Sequence, residues 1–181
     1  WMTENLKATH YRNGDAIPTG LDNSSWSSTV EGAYAVYDND PANAEIYGNL
    51  YNWYAVDDER GLCPDGWHVP SDEEFKVLEI QLGMSREEAD NNNLRGSNEG
   101  SKLAGSIDLW LNGDLNQNSD FGLSNFNFVP GGYRDDINGN YYEITTNGHQ
   151  WSTSTFDNFN AWRRDLAYNY TGVFRNHLVK Q

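Results

Sequence analysis

The segment 71–82 constrains the fold most, because it combines the start, body and stop signals of an α-helix. Ser71 can cap the helix, and Glu74 stands three residues later, which completes the pattern of a capping box. Apolar side chains follow at helical spacing, at Phe75, Leu78 and Leu82. Gly83 then supplies a typical stop. The sequence therefore predicts a helix over residues 71–82 as the clearest element of the chain.

Shorter elements are expected on either side of this helix. Ser85 and Glu88 repeat the capping pattern and predict a second short helix. The aromatic run at residues 47–56 favours a short helix or a turn. Residues 95–130 are rich in glycine, asparagine and serine, so we expect them to be mostly loop.

The C-terminal third predicts antiparallel strands. Asn138 and Gly139, flanked by tyrosine and isoleucine, form the strongest short hairpin signal in the chain. Strand-like pieces follow as HQWSTS (149–154), AWRRDLAY (161–168) and GVFRNHLV (172–179). Helices early and antiparallel strands late indicate the α+β class.

Composition narrows the range of partners. The net charge is −15, so nucleic acid is not an expected partner, and anionic membrane surfaces are disfavoured for the same reason. No apolar run approaches the roughly 20 residues that cross a bilayer, so we expect no membrane insertion in this segment. Aromatic residues make up 14% of the chain, which predicts a folded, loop-rich domain rather than a disordered one.

Eight motifs occur in the order typical of one family. They are WMTENL (1–6), YGNLYNWYAV (47–56), GLCPDGWHVPSDEEF (61–75), EGSKLAG (99–105), FVPGGYRD (128–135), HQWSTST (149–155), AWRRDL (161–166) and GVFRN (172–176). On these motifs the chain resembles the Fibrobacter succinogenes major paralogous domain over nearly its whole length. Members of that family are mostly secreted or surface-anchored proteins of Bacteroidetes and Fibrobacteres. The resemblance therefore implies an extracellular or outer-membrane-surface location.

The family is itself similar to the formylglycine-generating-enzyme type of C-type lectin-like fold. There, a W-H-x-P-S/T segment opens a helix and a G-G-Y-R element lies in the core. This sequence matches the two patterns at Trp67, His68, Pro70, Ser71, Glu74 and Phe75, and at Gly131, Gly132, Tyr133 and Arg134. The resemblance implies an α+β fold of that type over a single domain, 1–181, with two short helices early and short antiparallel strands and long loops late.

One departure from the family pattern concerns its end. Family members usually close with a strand of the type G-F-S-V-R-C, whereas this sequence stops at HLVKQ. We therefore expect residues 1–181 to lack the closing strand and the cysteine that it carries. Either that strand follows Gln181, or a neighbouring chain supplies it.

Cys63 and His68 are the first candidates for a reactive site. The carboxylates around them, at Asp57, Asp58, Glu59, Asp65 and Asp72, would raise the pKa of the thiol and weaken it as a nucleophile. A zinc site needs about four ligands, and this spacing offers one cysteine and one histidine. We therefore predict structural roles. Cys63 would form a disulfide with a partner beyond Gln181. His68 would be a buried group that is hydrogen-bonded to the backbone. Ser71 and Glu74 would cap the helix.

The stretch DLNQNSD is a candidate Ca²⁺ loop. Its oxygen-bearing side chains stand at alternate positions, at Asp114, Asn116, Asn118 and Asp120. Such spacing lets them converge on one hard cation in a tight loop, although Ser119 stands where a helix–loop–helix calcium loop has glycine and Asn125 where it has glutamate. A plain hydrophilic loop remains the alternative. A second oxygen cluster, at Asp136, Asn138, Asn140 and Glu143, is already explained by the predicted hairpin.

The C-terminal third also offers the best candidate surface for a ligand, because aromatic, amide and arginine side chains suit both sugars and protein epitopes. The candidate ligand-binding residues are Asn158, Trp162, Arg163, Tyr168, Asn169, Tyr170, Arg175 and Asn176. Trp151 and Trp162 have the sequence context of core strands. Of the candidates, Tyr168, Asn169, Tyr170, Arg175 and Asn176 are those expected on an exposed surface.

Three functions compete on this sequence. The favoured one is a non-catalytic, adhesin-like binding module of a Bacteroidetes-type bacterium, with a glycan or protein ligand. The second is an assembly subunit of a surface filament, completed by the strand of a neighbouring chain. The third is a hydrolase, which ranks last because no spacing singles out a pair of carboxylates.

Overall fold

A computed structural model describes residues 1–180 as a mixed α+β fold of short helices and small antiparallel sheets. The helices are α1 (Asn23–Ser28), α2 (Pro41–Tyr47), α3 (Trp53–Val56), α4 (Asp72–Gln81), α5 (Arg86–Asp90), α6 (Glu99–Leu103) and α7 (Asp114–Gln117), with 3₁₀ turns at Tyr37–Asn39 and Ile107–Leu109. The strands are β1 (Tyr34–Ala35), β2 (Leu50–Tyr51), β3 (Asn93–Arg95), β4 (Gly131–Arg134), β5 (Tyr141–Ile144), β6 (Asn147–Thr155), β7 (Asn160–Ala167) and β8 (Val173–Val179). Within residues 1–180, every helix is too short or too polar to cross a membrane.

The main sheet has four antiparallel strands in the order β3-β8-β7-β6. In its register Arg163 lies opposite Trp151 and Asn176, whereas Arg164 lies opposite Gln150 and Arg175. Because successive side chains of a strand point to opposite faces, Arg163 and Arg164 leave the sheet on different sides. Two further antiparallel pairs, β1-β2 and β4-β5, complete the sheets.

Helix α4 begins and is capped as the sequence predicts. The Ser71 hydroxyl accepts a hydrogen bond from the backbone N–H of Glu74, and the Glu74 carboxylate accepts one from the backbone N–H of Ser71. The same reciprocal pair forms between Ser85 and Glu88 at the start of α5. Both capping boxes are therefore confirmed, and each satisfies amide groups that a helix start would otherwise leave without partners.

A buried network of charges ties α4 to one face of the main sheet, called here the helix face. Arg164 donates through Nε to Glu79, at 2.6 Å, and through a terminal nitrogen to Asp72, at 2.8 Å. Arg175 donates to both carboxylate oxygens of Asp72, at 2.9 and 2.7 Å, and Arg95 donates to both oxygens of Glu79, at 2.9 and 2.8 Å. Each of these carboxylates faces two guanidinium groups, which compensates the desolvation of the charges.

This network corrects one sequence prediction. Arg175, expected on an exposed surface, is buried, and its guanidinium lies 3.6 Å from the ring centroid of Trp162. Trp162 is buried as well, which confirms its core position. Because side chains alternate along β8, that of Arg175 points towards α4 and donates to Asp72. The sequence of β8 alone does not contain that information.

The predicted hairpin forms between β4 and β5, with a turn of six residues, 135–140, rather than two. Asn138 and Gly139 lie in that turn, and Gly139 has a φ of +70°. Gly139 is required on two counts, since a side chain there would also run into the backbone of Asn23. The G-G-Y-R motif forms β4 itself.

Residues 95–130 contain more structure than the sequence predicts. Two short helices, α6 and α7, lie within this stretch and contribute to the core. The core cluster there includes Leu103, Trp110 and Leu115, together with Phe128, Leu166 and Val173. Leu115 is fully buried, so the packing of its side chain compensates for the weak helical signal around it.

Candidate functional site

A cleft of about 870 Å³ lies between the N-terminal segment 1–6, helix α4, the segment 66–70 and strands β4 and β6. Its walls are largely aromatic and aliphatic. The aromatic lining residues are Trp1, Trp26, Tyr47, Tyr51, Trp67, Phe75, Phe126, Tyr133 and Trp151. A concave, mostly apolar site with a few polar groups is the usual form of a small-ligand site.

The N-terminal segment builds one wall of this cleft by packing across helix α4. The ring of Trp1 lies 5.5 Å from that of Phe75 and 5.5 Å from that of Phe126, in tilted arrangements that aromatic pairs favour. Trp67, in the segment that leads into α4, lines the cleft with 45% of its surface exposed. An apolar ring that is exposed within a concave site is free to stack on a ligand.

A first polar group in the cleft is formed by His68 and Glu74. The Nε2 atom of His68 lies 2.8 Å from Glu74, and the His68 side chain is 69% exposed. The prediction that His68 is buried against the backbone is therefore wrong, because the loop that precedes α4 leaves the imidazole in solvent. Hydrogen bonds from the backbone and hydroxyl of Ser71, and then from His68, lower the pKa of Glu74 to about 2. Glu74 is thus a carboxylate at neutral pH and not a proton donor.

A second polar group centres on His149, which lies between two carboxylates. Its Nδ1 is 2.7 Å from Asp165 and its Nε2 is 3.1 Å from Glu143. Burial alone would lower the pKa of His149, but the hydrogen bonds to Asp165 and Glu143 raise it above its ordinary value. Burial would raise the pKa of Asp165, yet His149 and Arg163 hold it below the usual range.

The backbone of β5 is strained at Glu143, the residue whose carboxylate contacts His149. Glu143 has a φ of +67°, in the left-handed region that residues with a side chain seldom adopt. Its carboxylate is held by His149 and by the amide of Asn147, at 2.8 Å. Tyr133 of β4 presents its ring edge-on to the imidazole, with the two centroids 5.4 Å apart. The strained residue therefore fixes the hairpin against β6 beside the cleft.

The third polar group is Arg163, which lines the cleft from the middle of β7. Its side chain is 18% exposed, and its Nε lies 3.0 Å from Asp165. Among residues 1–180, Asp165 is the only carboxylate within ion-pair distance of this guanidinium. The face of the sheet that carries Arg163, Asp165 and His149 is called here the cleft face.

The chemistry available in the cleft suits binding more than proton transfer. Both ring nitrogens of His149 already face carboxylates, which leaves neither free to take a proton from a substrate. Cys63, which also lines the cleft, is 7% exposed, and burial raises the pKa of its thiol, so little thiolate forms at neutral pH. The disulfide partner predicted for Cys63 lies outside the described residues.

The candidate calcium stretch does not form a loop throughout. Asp114 to Gln117 form helix α7, and helical geometry turns Asp114 and Asn116 to different sides. The Asn116 amide oxygen accepts a hydrogen bond from the backbone of Gly113, and the Asn118 amide oxygen accepts one from the backbone of Asp120. Asp120 in turn accepts one from the side chain of Asn98, at 2.6 Å.

Calcium binding at this stretch stays a prediction. These contacts occupy oxygens that a cation would need, so we expect any binding to be weak. Calorimetric titration with millimolar Ca²⁺, together with the melting temperature, tests it, and no heat and no shift would contradict it.

The eight predicted ligand-binding residues do not form one surface. Asn158 is exposed at one end of β7, and Asn169 and Tyr170 are exposed at the other. The eight residues of β7 separate the two ends by roughly 26 Å, at about 3.3 Å per residue. Tyr168 is half-buried against the core, and the Asn176 side chain donates to Asp165 at 2.7 Å. Of the eight, only Arg163 lines the cleft.

Sequence reasoning missed most of the cleft. Trp1, Trp67, Tyr133 and His149 lie in family motifs, but none of them is among the ligand-binding residues that the sequence predicts. A signal was present for His149, since the H-Q-W motif places a histidine two residues from an aromatic on the same face of a strand. Its partner Glu143 carried no comparable signal, because only the folded hairpin brings the two together.

Comparison with known proteins gives one family. A family model described as the Fibrobacter succinogenes major domain matches residues 1–180. No curated protein and no solved structure matches the chain.

Proposed function

The chain belongs to the Fibrobacter succinogenes major domain family, and we propose that it is a non-catalytic binding module that holds a carbohydrate in the aromatic cleft. The observation that carries the proposal is the cleft itself, with exposed aromatic rings beside fixed polar groups. Sugar rings have apolar faces that stack on aromatic side chains and hydroxyl edges that need directional hydrogen bonds. The cleft offers both kinds of contact within one concavity.

The location and the finer fold class are part of the same proposal. We place the module outside the cell or on the outer-membrane surface, where an adhesin-like domain meets glycans. The C-type lectin-like fold of the formylglycine-generating-enzyme type is supported by two motifs. The W-H-x-P-S segment opens α4, and the G-G-Y-R motif forms β4, as the resemblance implies.

The state of the ionisable groups supports binding over hydrolysis. A glycoside hydrolase needs one carboxyl group that is protonated near neutral pH and a second that is ionised. The pKa of Glu74 is held at about 2 by its hydrogen bonds with Ser71 and His68, and the carboxyl groups of Asp165 and Glu143 also have lowered pKa values. None of these three carboxyl groups in the cleft region suits the role of general acid.

A glycan array probed with the wild-type domain and with two matched variants tests the proposal. Trp67→Ala removes an exposed ring inside the cleft, and Phe159→Ala removes a ring that is 75% exposed outside it. We expect Trp67→Ala to weaken the best glycan about tenfold, because a lost stacking contact is worth roughly 1.4 kcal/mol. Phe159→Ala should leave the affinity unchanged.

The other functions are outcomes of the same experiment. Loss of binding in Tyr170→Ala, with Trp67→Ala unaffected, would move the ligand to the turn between β7 and β8. Release of reducing ends from a bound oligosaccharide would identify a hydrolase. Binding to a peptide library but to no glycan would identify a protein ligand, and polymers in light scattering would favour an assembly subunit.

A further inference from the structure

Arg163 differs from the other half-buried and buried arginines in how few partners its guanidinium has. Arg164 and Arg175 each donate from all three guanidinium nitrogens, and Arg134 donates to the backbone oxygens of Gly139 and Leu21. Arg163 makes one ion pair, with Asp165, and its buried Nε has no well-aligned hydrogen bond in the described part of the chain. A guanidinium carries five donors, so most of its capacity is left over.

Asp165 forms an ion pair with Arg163 and is itself fixed in place. The Asp165 carboxylate accepts a hydrogen bond from Asn176, at 2.7 Å, and lies 2.7 Å from Nδ1 of His149. Its position is therefore fixed from both neighbouring strands, and it engages the Nε edge of Arg163. The opposite edge of a guanidinium carries two parallel N–H groups, which match the two oxygens of a carboxylate. An arginine that pairs with a carboxylate at Nε and lines a cleft can offer its other edge to such a group.

The local charge permits an anion although the whole chain is acidic. The net charge is −15, so long-range electrostatics repel an anionic ligand. On the cleft face, Asp165 and Glu143 lie against Arg163 and His149, and the raised pKa of His149 favours its charged form. Burial raises the pKa of Tyr133, which keeps its hydroxyl protonated as a further donor in the cleft. Three carboxylates that line the cleft, Glu4, Glu74 and Asp136, would oppose an anion.

The cleft favours a saccharide over an extended peptide. A peptide commonly binds by adding a strand to a free sheet edge. The outer edge of β6 is already used here, because the backbone N–H of Thr153 donates to Pro70 O, at 3.0 Å, and Trp53 Nε1 donates to Ser152 O, at 3.3 Å. Aromatic rings, by contrast, remain open in the cleft at Trp67 and Trp1.

We infer that the ligand is an acidic oligosaccharide and that Arg163 binds the carboxylate of one of its uronic acid units. This inference rests on the proposed function and names the ligand class for the same cleft. The aromatic walls bind the ring faces, and the free edge of Arg163 selects the charged sugar from its neutral counterpart.

Calorimetry with matched ligand pairs tests the inference. Short oligomers of galacturonate, glucuronate, mannuronate and guluronate are each compared with their methyl esters, which keep the shape of the sugar and remove the charge. At least one acid should bind ten times more tightly than its ester, because a bidentate charge-assisted pair is among the stronger hydrogen-bonded contacts. Arg163→Gln should abolish that preference.

Two further variants keep the test decisive. Arg163→Lys retains the charge without the two parallel donors and should retain only part of the preference, which also covers the case that Arg163→Gln does not fold. Arg86→Gln removes an equal charge from the exposed surface of α5 and should leave the preference intact. Circular dichroism and thermal melting establish that each variant is folded.

The outcomes separate this inference from the proposed function. If acids and esters bind equally and Trp67→Ala weakens both, the cleft binds carbohydrate and the inference about Arg163 is wrong. If Arg163→Gln keeps the preference, another cation recognises the acid. If no oligosaccharide binds, in the calorimeter or on a glycan array, both proposals fail, and binding of a peptide library would identify the alternative ligand.

Discussion

Arg163 and Arg164 are consecutive residues of β7, yet the fold gives them opposite environments. Arg164 is 1% exposed on the helix face, where Asp72 and Glu79 of α4 receive its donors. Arg163 lies on the cleft face, and within residues 1–180 its one ion pair is with Asp165, a neighbour on its own strand. The two residues have the same chemistry, so the elements that pack on each face determine which of them stabilises the fold and which is available to a ligand.

The first prediction tests that division through stability and concerns the largest effect. Arg164→Met should lower the free energy of unfolding by about 3–5 kcal/mol, because two buried carboxylates, Asp72 and Glu79, each lose one of their two guanidinium partners. Arg163→Met should cost only about 1 kcal/mol, since Asp165 keeps His149 and Asn176 and the pair is partly exposed. Urea denaturation, with equal slopes for the variants, measures both changes.

The exposed Arg86 provides the control for this pair. Arg86→Met removes an arginine from a surface network with Glu73 and Asp90 and should change stability by less than about 0.5 kcal/mol. Equal losses in Arg163→Met and Arg164→Met would contradict the contrast between the two faces of β7. A loss in Arg163→Met alone would reverse it.

The sequence predicts the local structure on both faces of the main sheet, but it does not predict which elements pack on each face. The capping boxes at Ser71 and Ser85 are visible because every partner lies within three residues. The strands β6 to β8 are visible through β-rich runs, and their alternation already places Arg163 and Arg164 on opposite sides. The carboxylates that pair with Arg164 belong to α4, where Glu79 and Asp72 lie 85 and 92 residues away from it in the chain.

The cleft is hidden from the sequence for the same reason. Its walls combine the first residues of the chain with α4 and with β6, and only the tertiary fold joins them. The sequence predicts a buried His68 that bonds to the backbone, whereas the loop before α4 leaves its side chain in solvent. Conversely, the stretch around Leu115 is predicted to be loop but forms a helix, because the Leu115 side chain packs in the core.

The second prediction distinguishes the two faces by pH. On the helix face, burial would raise the pKa of Asp72, but hydrogen bonds from Arg175 and Arg164 lower it to about 2. Its contribution to stability is present above its unfolded pKa, near 3.8, and is lost as the pH falls through about 2. On the cleft face, the folded pKa of His149 lies above its unfolded value of 6.5. Its contribution is complete below pH 6.5 and is lost as the pH rises through the folded pKa.

Unfolding measured from pH 2 to pH 9 should therefore show two separate losses. His149→Gln should flatten the loss on the alkaline side and leave the acid side unchanged, because Gln does not titrate. His10→Gln, at an exposed histidine outside the cleft, is the matched control and should leave both sides as they are. An unchanged alkaline side in His149→Gln would mean that the bridge between Glu143 and Asp165 does not contribute to stability.

The third prediction concerns α4, which packs on the helix face and also lines the cleft. It presents Asp72 and Glu79 to the helix face, and Glu74 and Phe75 to the cleft. Ser71→Ala should cost about 1 kcal/mol of stability, as the loss of an N-cap usually does. It should also lower affinity for the cleft ligand, because the Ser71 cap helps hold Glu74 and, through it, His68.

Ser85→Ala makes this last effect specific. The α5 helix starts with the same reciprocal pair, between Ser85 and Glu88, so the substitution removes an equivalent cap. Neither residue lines the cleft, and the variant should lose a similar amount of stability without any change in affinity. If the two variants affect binding equally, the loss reflects general destabilisation. If only Ser71→Ala does so, the start of α4 positions the cleft as well as the buried charges, and α4 couples the two.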